Sequence, residues 1–448
     1  MSPTKFPASP ATRDTRTPLA TLSRWRRRTR RIILAMSVTL AAVGISSCTD
    51  QSTAPSIAPL QPSIALERDA KKISEIVASV RWNGIARGLV ATQAPAFQPP
   101  KMGQQAALRA LTYVSLAQYN AVVAAEKADE NDTHPSEQGA VAGASAAVLT
   151  YLFPSAATFI EAQVAEQEAA PGQPGEGHTN FDAGVQIGRG VGADVVAHAK
   201  TDGFDLPWNG TLGTDIGGWI NIGPPVFPRL GEMRTFFMTS GKQFRPGPPP
   251  FSPSPKFLAA LAEIEQISDT RTAEQIRIAR FWAFPSVSLV AGYWNEQASA
   301  LIVDRQMSER DAAHAFALMN MAAMDANIAS HDAKYTYWLI RPGRADADPG
   351  DDMLIQADGT GPAVPLPNHP SYPSNHASVS GTAANILGHL FPSDKSHLAS
   401  LAQEAAISRL YAGIHYRFDM DAGLKIARQV ANLAIKLDVH GQQPFTLR

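Results

Sequence analysis

The stretch YPSNHASVSGTAANILGHL, Tyr372–Leu390, decides how the chain is read. Pro373 cannot sit inside a helix and disfavours helix at the residue before it. After Ser378 the apolar residues fall at helical spacing. The segment therefore reads as a loop feeding a helix that starts near Ser374–His376. Free backbone N–H groups and the positive end of the helix dipole at such a start attract anions. Ser374 also fits a plain N-cap, so the stretch by itself leaves its role open.

The same periodicity recurs on both sides. ISEIVASVRWNGIARGLVATQ, QQAALRALTYVSLAQYNAVVAAEKA and EQGAVAGASAAVLTYLF place apolar residues three and four apart, with small residues that permit close helix approach. Helices resume from Lys256 to about Leu339 and again after Ser378. Between about Pro171 and Pro255 the chain is rich in Gly, Pro and aromatics (DLPWNG, IGGWINIGPP, QFRPGPPPFSPSP) and reads as an ordered covering loop. No internal repeat and no strand-type alternation is present. The fold class is all-α, a helical bundle with long Gly/Pro-rich connecting loops.

Charge divides the chain in two. Residues 1–47 carry nine Lys and Arg against the single acid Asp14, which leaves nine net negative charges on the rest of a chain whose formal charge is −1. An acidic body argues against non-specific nucleic-acid binding. The basic block precedes an apolar run of 14 residues, Ile32–Ile45, too short to span a membrane and suited to the core of a secretory signal. It ends at ISSC, where Cys48, the only cysteine, excludes an internal disulfide and resembles the lipidated residue of a bacterial lipobox. TRRIIL, Thr29–Leu34, resembles a twin-arginine signal, so the export route stays open. The expected organisation is a signal peptide over 1–47, a Ser/Pro/Ala-rich tether over 48–70 and one helical domain over 71–440. The protein is expected to be exported, held at the periplasmic face or outer membrane by a lipid on Cys48, or else periplasmic or secreted.

Three clusters in the last quarter carry chemistry. In KYTYWLIRP, Lys334 and Arg341 lie about two helical turns apart, which predicts cations on nearly one face with Pro342 ending the helix. The second cluster is Ser374, Asn375 and His376. In SRLYAGIHYRFDMDAG, His415 and Asp419 are four apart, so the carboxylate can accept the imidazole Nδ1–H and leave Nε2 as a free lone pair. Arg409 precedes them across Gly413, which breaks the helix. Each cluster alone also suits a solvated face, a cap or a structural ion pair. Together, three cations, neutral donors, a nucleophilic nitrogen and a second histidine describe a pocket for phosphate or a phosphate-shaped anion.

K-x6-R-P, P-S-G-H and S-R-x5-H-x3-D, in that order, mark the superfamily that unites type 2 phosphatidic acid phosphatases, bacterial acid phosphatases and vanadium-dependent haloperoxidases. This chain resembles it through KYTYWLIRP, PSNH and SRLYAGIHYRFD. RWNGIARGLV, AALRALTYVSLAQYNAV, QFRPGPPP, RIARFWAFP and DAKYTYWLIRP are similar to recurring segments of the bacterial haloperoxidase-like branch. The resemblance implies the helical bundle of that branch over roughly residues 75–440. It implies that His415 binds vanadium through Nε2, or attacks phosphorus in a phosphatase, with Asp419 orienting it. Lys334, Arg341 and Arg409 would neutralise the anion's oxygens, Ser374 would donate a hydrogen bond, and His376 would act on the opposite apical group. Asn375 stands where the family has glycine; asparagine tolerates positive φ, so its N–H contact to the anion is expected to survive. His369 stands where haloperoxidases tend to carry an aromatic, with histidine in algal bromide-oxidising enzymes, which favours bromide or iodide over chloride.

The resemblance leaves three readings. One is a vanadate-dependent haloperoxidase using hydrogen peroxide and halide. Another is a phosphomonoesterase that needs no cofactor and cleaves a phosphate ester through phospho-His415. The third is a non-catalytic envelope protein that binds phosphate.

Overall fold

The computed structural model describes residues 77–92, 103–129, 134–170, 180–212, 217–220, 224–283, 289–345, 353–438 and 443–447. The leader, the tether and Cys48 lie outside the described residues. Among those described there are thirteen α-helices and no strand. They are α1 Ala78–Thr92, α2 Gln104–Asp129, α3 Glu137–Leu152, α4 Ala157–Glu168, α5 Phe181–Ala199, α6 Pro255–Thr270, α7 Ala273–Ala283, α8 Leu289–Asp304, α9 Glu309–Tyr337, α10 Pro342–Ala345, α11 Asn375–Leu390, α12 Lys395–Tyr411 and α13 Arg417–Leu437.

Helix α9, 29 residues long, runs through the centre, with α2, α11 and α13 packed around it. In its sequence, ERDAAHAFALMNMAAMDANIASHDAKYTY, small and apolar residues dominate from Ala312 to Met324, and most of the helix is buried. Several of its buried polar residues hold partners on other segments. Glu309 accepts the N–H groups of Ala78 and Ser79 at 2.5 and 2.8 Å, which caps α1. Asn320 lies in a buried amide ladder: Asn83 donates to Asn295 at 2.7 Å, Asn295 to Asn320 at 2.8 Å, and Asn320 to Ser115 at 2.9 Å. One contiguous apolar core joins residues from Ala78 to Phe445.

The structure corrects two expectations. Part of the presumed covering loop is helix α5, FDAGVQIGRGVGADVVAHA. Three of its four glycines, Gly184, Gly188 and Gly192, are helix–helix contacts rather than breakers. A Cβ on Gly184 or Gly188 would run into the carbonyls of Ser136 or Ala140 of the α3 segment, and one on Gly143 into that of Val185. Small residues on both helices let the backbones touch. The second correction concerns α9, which stops at Tyr337. Trp338 takes a left-handed φ of 48° as its C-cap, so Arg341 leaves the helix face altogether. Residues 338–340 instead pair with the cover: Trp219 N–H donates to Trp338 O at 2.6 Å and Ile340 N–H to Gly217 O at 3.1 Å. Pro342 opens the short helix α10 rather than ending a long one.

Described parts of the cover are held against the bundle by its backbone N–H groups, Arg245 and two tyrosines. Asp325 of α9 accepts the N–H groups of Phe236, Phe237 and Met238 at 2.8 Å each. Arg245 of QFRPGPPP grips Asp332 of α9 bidentately at 2.5 and 2.7 Å. Tyr337 and Tyr372 donate to the carbonyls of Pro246 and Gly247 at 2.8 and 2.7 Å, tying the cover to the loop before α11.

Candidate active site

Four segments converge at the C-terminal end of α9. Ser374 caps α11, its Oγ accepting from Ala377 N–H at 3.4 Å while its own N–H donates to the Asp419 carbonyl at 3.0 Å. Asn375 and His376 are the first two helical residues, so the positive end of α11 lies at the site. Opposite, α12 ends at Tyr411 and Gly413 turns the chain with φ 73°, as its glycine implied; a side chain there would collide with the Met353 carbonyl. That turn delivers His415 just ahead of α13.

His415 lies outside the helix and Asp419 within its first turn, yet Nδ1 meets Oδ2 at 2.8 Å. The same carboxylate oxygen accepts Tyr416 N–H at 3.1 Å and the Ser371 hydroxyl at 2.6 Å. A carboxylate on Nδ1 sets the tautomer with its hydrogen there, leaving Nε2 as a lone pair. Nε2 faces Arg341 Nη1 at 3.4 Å.

All three cations are buried and each is anchored by backbone carbonyls. Arg341 donates to His369 O at 2.8 Å and Ile414 O at 2.7 Å, with Nη2 3.1 Å from His369 Nδ1. Arg409 donates to Ala279 O of α7 at 2.7 Å and to Ser408 Oγ at 3.0 Å. Lys334 spends all three ammonium hydrogens on the carbonyls of Pro370, Ser371 and Pro373 at 2.8, 2.8 and 2.6 Å. Its charge thus sits behind the loop of residues 370–374. Burial, then the neighbouring arginine, pushes the Lys334 ammonium well below its usual range. Burial lowers Arg341 to about 10 and Arg409 to about 9. The same desolvation, reinforced by the arginines and Lys334, keeps His369, His376 and His415 neutral, far below the usual imidazole value. Asp419 is raised to about 6 by burial, against the pull of its Ser371 bond and of Lys334.

His376 lies apart from His415 in its partners, its Nε2 donating to the Trp282 carbonyl of α7 at 2.8 Å. His369 is buried rather than solvent-facing. Asn375 differs from expectation. It needs no positive φ, being an ordinary first helical residue, and its side chain turns to α9, where Nδ2 donates to Asn327 Oδ1 at 2.9 Å. The glycine position is thus filled without backbone strain, and the N–H stays at the helix start. Two residues the sequence reading passed over belong to the assembly. Ser371 holds Asp419. His331, one helical turn before Lys334, is fully buried against Asn375 and His369 and lowered by burial to about 3. The turn spacing of His331 and Lys334 was the available signal.

Chemically the set suits an anion. Three buried cations converge with one carboxylate in the cluster, a helix N-terminus adds neutral donors, and a bare imidazole nitrogen stands among them. A bare metal cation would be repelled here. An oxyanion of vanadium or phosphorus fits, with Arg341, Arg409 and the α11 N-terminus to hold its oxygens and His415 Nε2 to meet its central atom.

Residues 314–439 match the PAP2 superfamily. A non-specific acid phosphatase of Providencia stuartii is 28% identical over 134 residues, 29% of this chain and 48% of that one. Its counterpart in Salmonella typhi is 30% identical over 110 residues, 24% of this chain and 40% of the other. The chain thus spans about half the length of these relatives or less. Among solved structures, a bacterial vanadium-dependent iodoperoxidase superposes with a TM-score of 0.64 at 22% identity, covering 80% of this chain and 96% of that one. An apo-type bacterial vanadium-dependent chloroperoxidase gives 0.60 at 16% identity, covering 78% and 96%. Residues 314–439 thus match the PAP2 superfamily, and the chain has the fold of the vanadium-dependent haloperoxidases on which it superposes.

Proposed function

We propose that the chain is a vanadate-dependent haloperoxidase-like enzyme that oxidises halide with hydrogen peroxide. The state of His376 carries this reading over the phosphatase. Its Nε2 hydrogen is committed to Trp282 O and burial beside Arg409 keeps the ring neutral, so Nδ1 is a lone pair. Such a histidine takes a proton, as activation of peroxide requires; it has none to give a leaving alcohol. Vanadate, when bound, supplies a Lewis acid that activates peroxide. Within the protein, Arg341 and Arg409 neutralise the oxyanion, Asp419 holds the His415 hydrogen on Nδ1, and the cover restricts water. Preference for bromide or iodide rests on His369, packed against Arg341 where haloperoxidases tend to carry an aromatic. The proposal includes export, with Cys48 as lipid attachment site.

The second reading, a phosphomonoesterase using His415 Nε2 as nucleophile, draws support from the acid phosphatase likeness over the same residues. One assay separates the two. Purified protein receives orthovanadate, peroxide and bromide with a phenol-type dye, while the vanadate-free protein receives p-nitrophenyl phosphate. Dye bromination lost in His415→Ala supports the haloperoxidase. Phosphate release without bromination assigns the phosphatase, and absence of both activities leaves phosphate binding alone.

A further inference from the structure

Ser371 belongs to none of the three motifs and carries no charge, yet every polar group it has is used inside the site. It is fully buried. Its N–H donates to Leu339 O at 2.9 Å, two residues before Arg341, and its carbonyl accepts from Lys334 Nζ at 2.8 Å. With the backbone pinned at both ends, the hydroxyl is aimed at Asp419 Oδ2, 2.6 Å away, a short charge-assisted bond. Oδ2 therefore collects three donors, from Ser371, His415 Nδ1 and Tyr416 N–H, while Oδ1 is buried with none. The two oxygens of a carboxylate are chemically equivalent, so a one-sided donor set is what fixes which of them faces the imidazole. Tyr416 N–H supplies one fixed donor from Asp419's own turn. Ser371 supplies the other from a segment 48 residues away.

We propose that Ser371 is a positioning residue: its hydroxyl locks the Asp419 carboxylate so that Oδ2 retains the His415 Nδ1 hydrogen and Nε2 keeps its lone pair. It does not hold the ring itself, because Ser371 Oγ stands 3.5 Å from His415 Nδ1, beyond a useful bond. The inference rests on the reading of His415 as the reactive nitrogen only for its effect on turnover; the tautomer can be measured without it.

The test uses the full chain labelled with ¹⁵N-histidine, anion-free, as wild type and Ser371→Ala, with His415 resonances assigned by their loss in His415→Gln. Wild type is expected to show the Nδ1–H tautomer alone, and Ser371→Ala a mixture of both. In dye bromination with orthovanadate, kcat of Ser371→Ala is expected to fall about tenfold, the loss of one bond to a charged group, with the peroxide KM within about twofold. An unchanged tautomer overturns the proposal, as does an unchanged kcat. A fall in kcat with an unchanged tautomer and a lowered Tm makes Ser371 a packing residue. If wild type shows no turnover of any kind, the proposed activity fails while the tautomer still decides the role of Ser371.

Discussion

His376 and Arg409 both hang from the same end of one helix: His376 Nε2 donates to Trp282 O at 2.8 Å and Arg409 Nη2 to Ala279 O at 2.7 Å. The last carbonyls of α7, the negative end of its dipole, thus hold one cation and one base in place. His376→Gln keeps an amide N–H for Trp282 and removes the Nδ1 lone pair. It is expected to leave Tm within a few degrees while lowering kcat about 10²- to 10⁴-fold, measured by thermal melting and steady-state kinetics.

Lys334 is expected to matter before any anion binds. Lys334→Met strips three carbonyls of their donor, so the amides of Ser371, Tyr372 and Ser374 should exchange faster in the anion-free protein and phosphate affinity should fall at least about tenfold. Lys334→Arg should not restore either property, because a flat guanidinium does not serve three convergent carbonyls. Hydrogen exchange and calorimetric titration with phosphate read the two effects. Normal exchange with lost affinity would return Lys334 to direct anion contact.

Buried neutral histidines make acid the weak side of this fold. His331 drops from 6.5 to about 3 on folding, and its unfolded form takes up a proton that the native form refuses. Stability from this group is full above about 6.5 and lost as pH falls from there towards 3, with a slope near 1.4 kcal/mol per pH unit. Asp419, raised to about 6, acts oppositely between its unfolded value of 3.8 and 6, where the native state binds more protons. With His369, His376 and His415 shifted the same way as His331, the histidines dominate. Denaturant melts of the anion-free protein between pH 7 and 5 should show falling stability, and His331→Gln should flatten the curve.

The α3–α5 contact gives a paired prediction. Gly188→Ala drives a methyl into the Ala140 carbonyl and should cost about 3 kcal/mol. Gly190→Ala, two residues on, meets nothing within 4 Å and should stabilise by up to about 1 kcal/mol through helix propensity. Urea unfolding of both variants checks the sign of each.

Much of the fold and site could be read in advance, and the reasons for the misses are local. Helical spacing located the bundle, and the loop into α11 was legible because Pro373, Ser374 and the apolar run each act on their own neighbours. His415 with Asp419 was legible from a spacing that holds even though His415 precedes its helix. The glycines of α5 misled, since glycine in a helix and glycine in a loop look alike until the facing helix is known. Trp338 ended α9 early because a tertiary pairing with the cover outweighed local periodicity. Ser371 was silent, since nothing in one sequence marks a serine whose partner lies 48 residues away, and His331 showed only in its one-turn spacing from Lys334.

The family-matching segment opens at residue 314, five positions into α9. The face of α9 that this segment contributes is covered by α2, and its amide ladder closes on Asn83 and Ser115. A fragment cut at that boundary would carry every candidate catalytic side chain and still expose a long apolar surface with half a polar network. Sequence homology here marks only a stretch of the chain, while the helix in which that stretch begins receives the first amides of α1, 236 residues before residue 314.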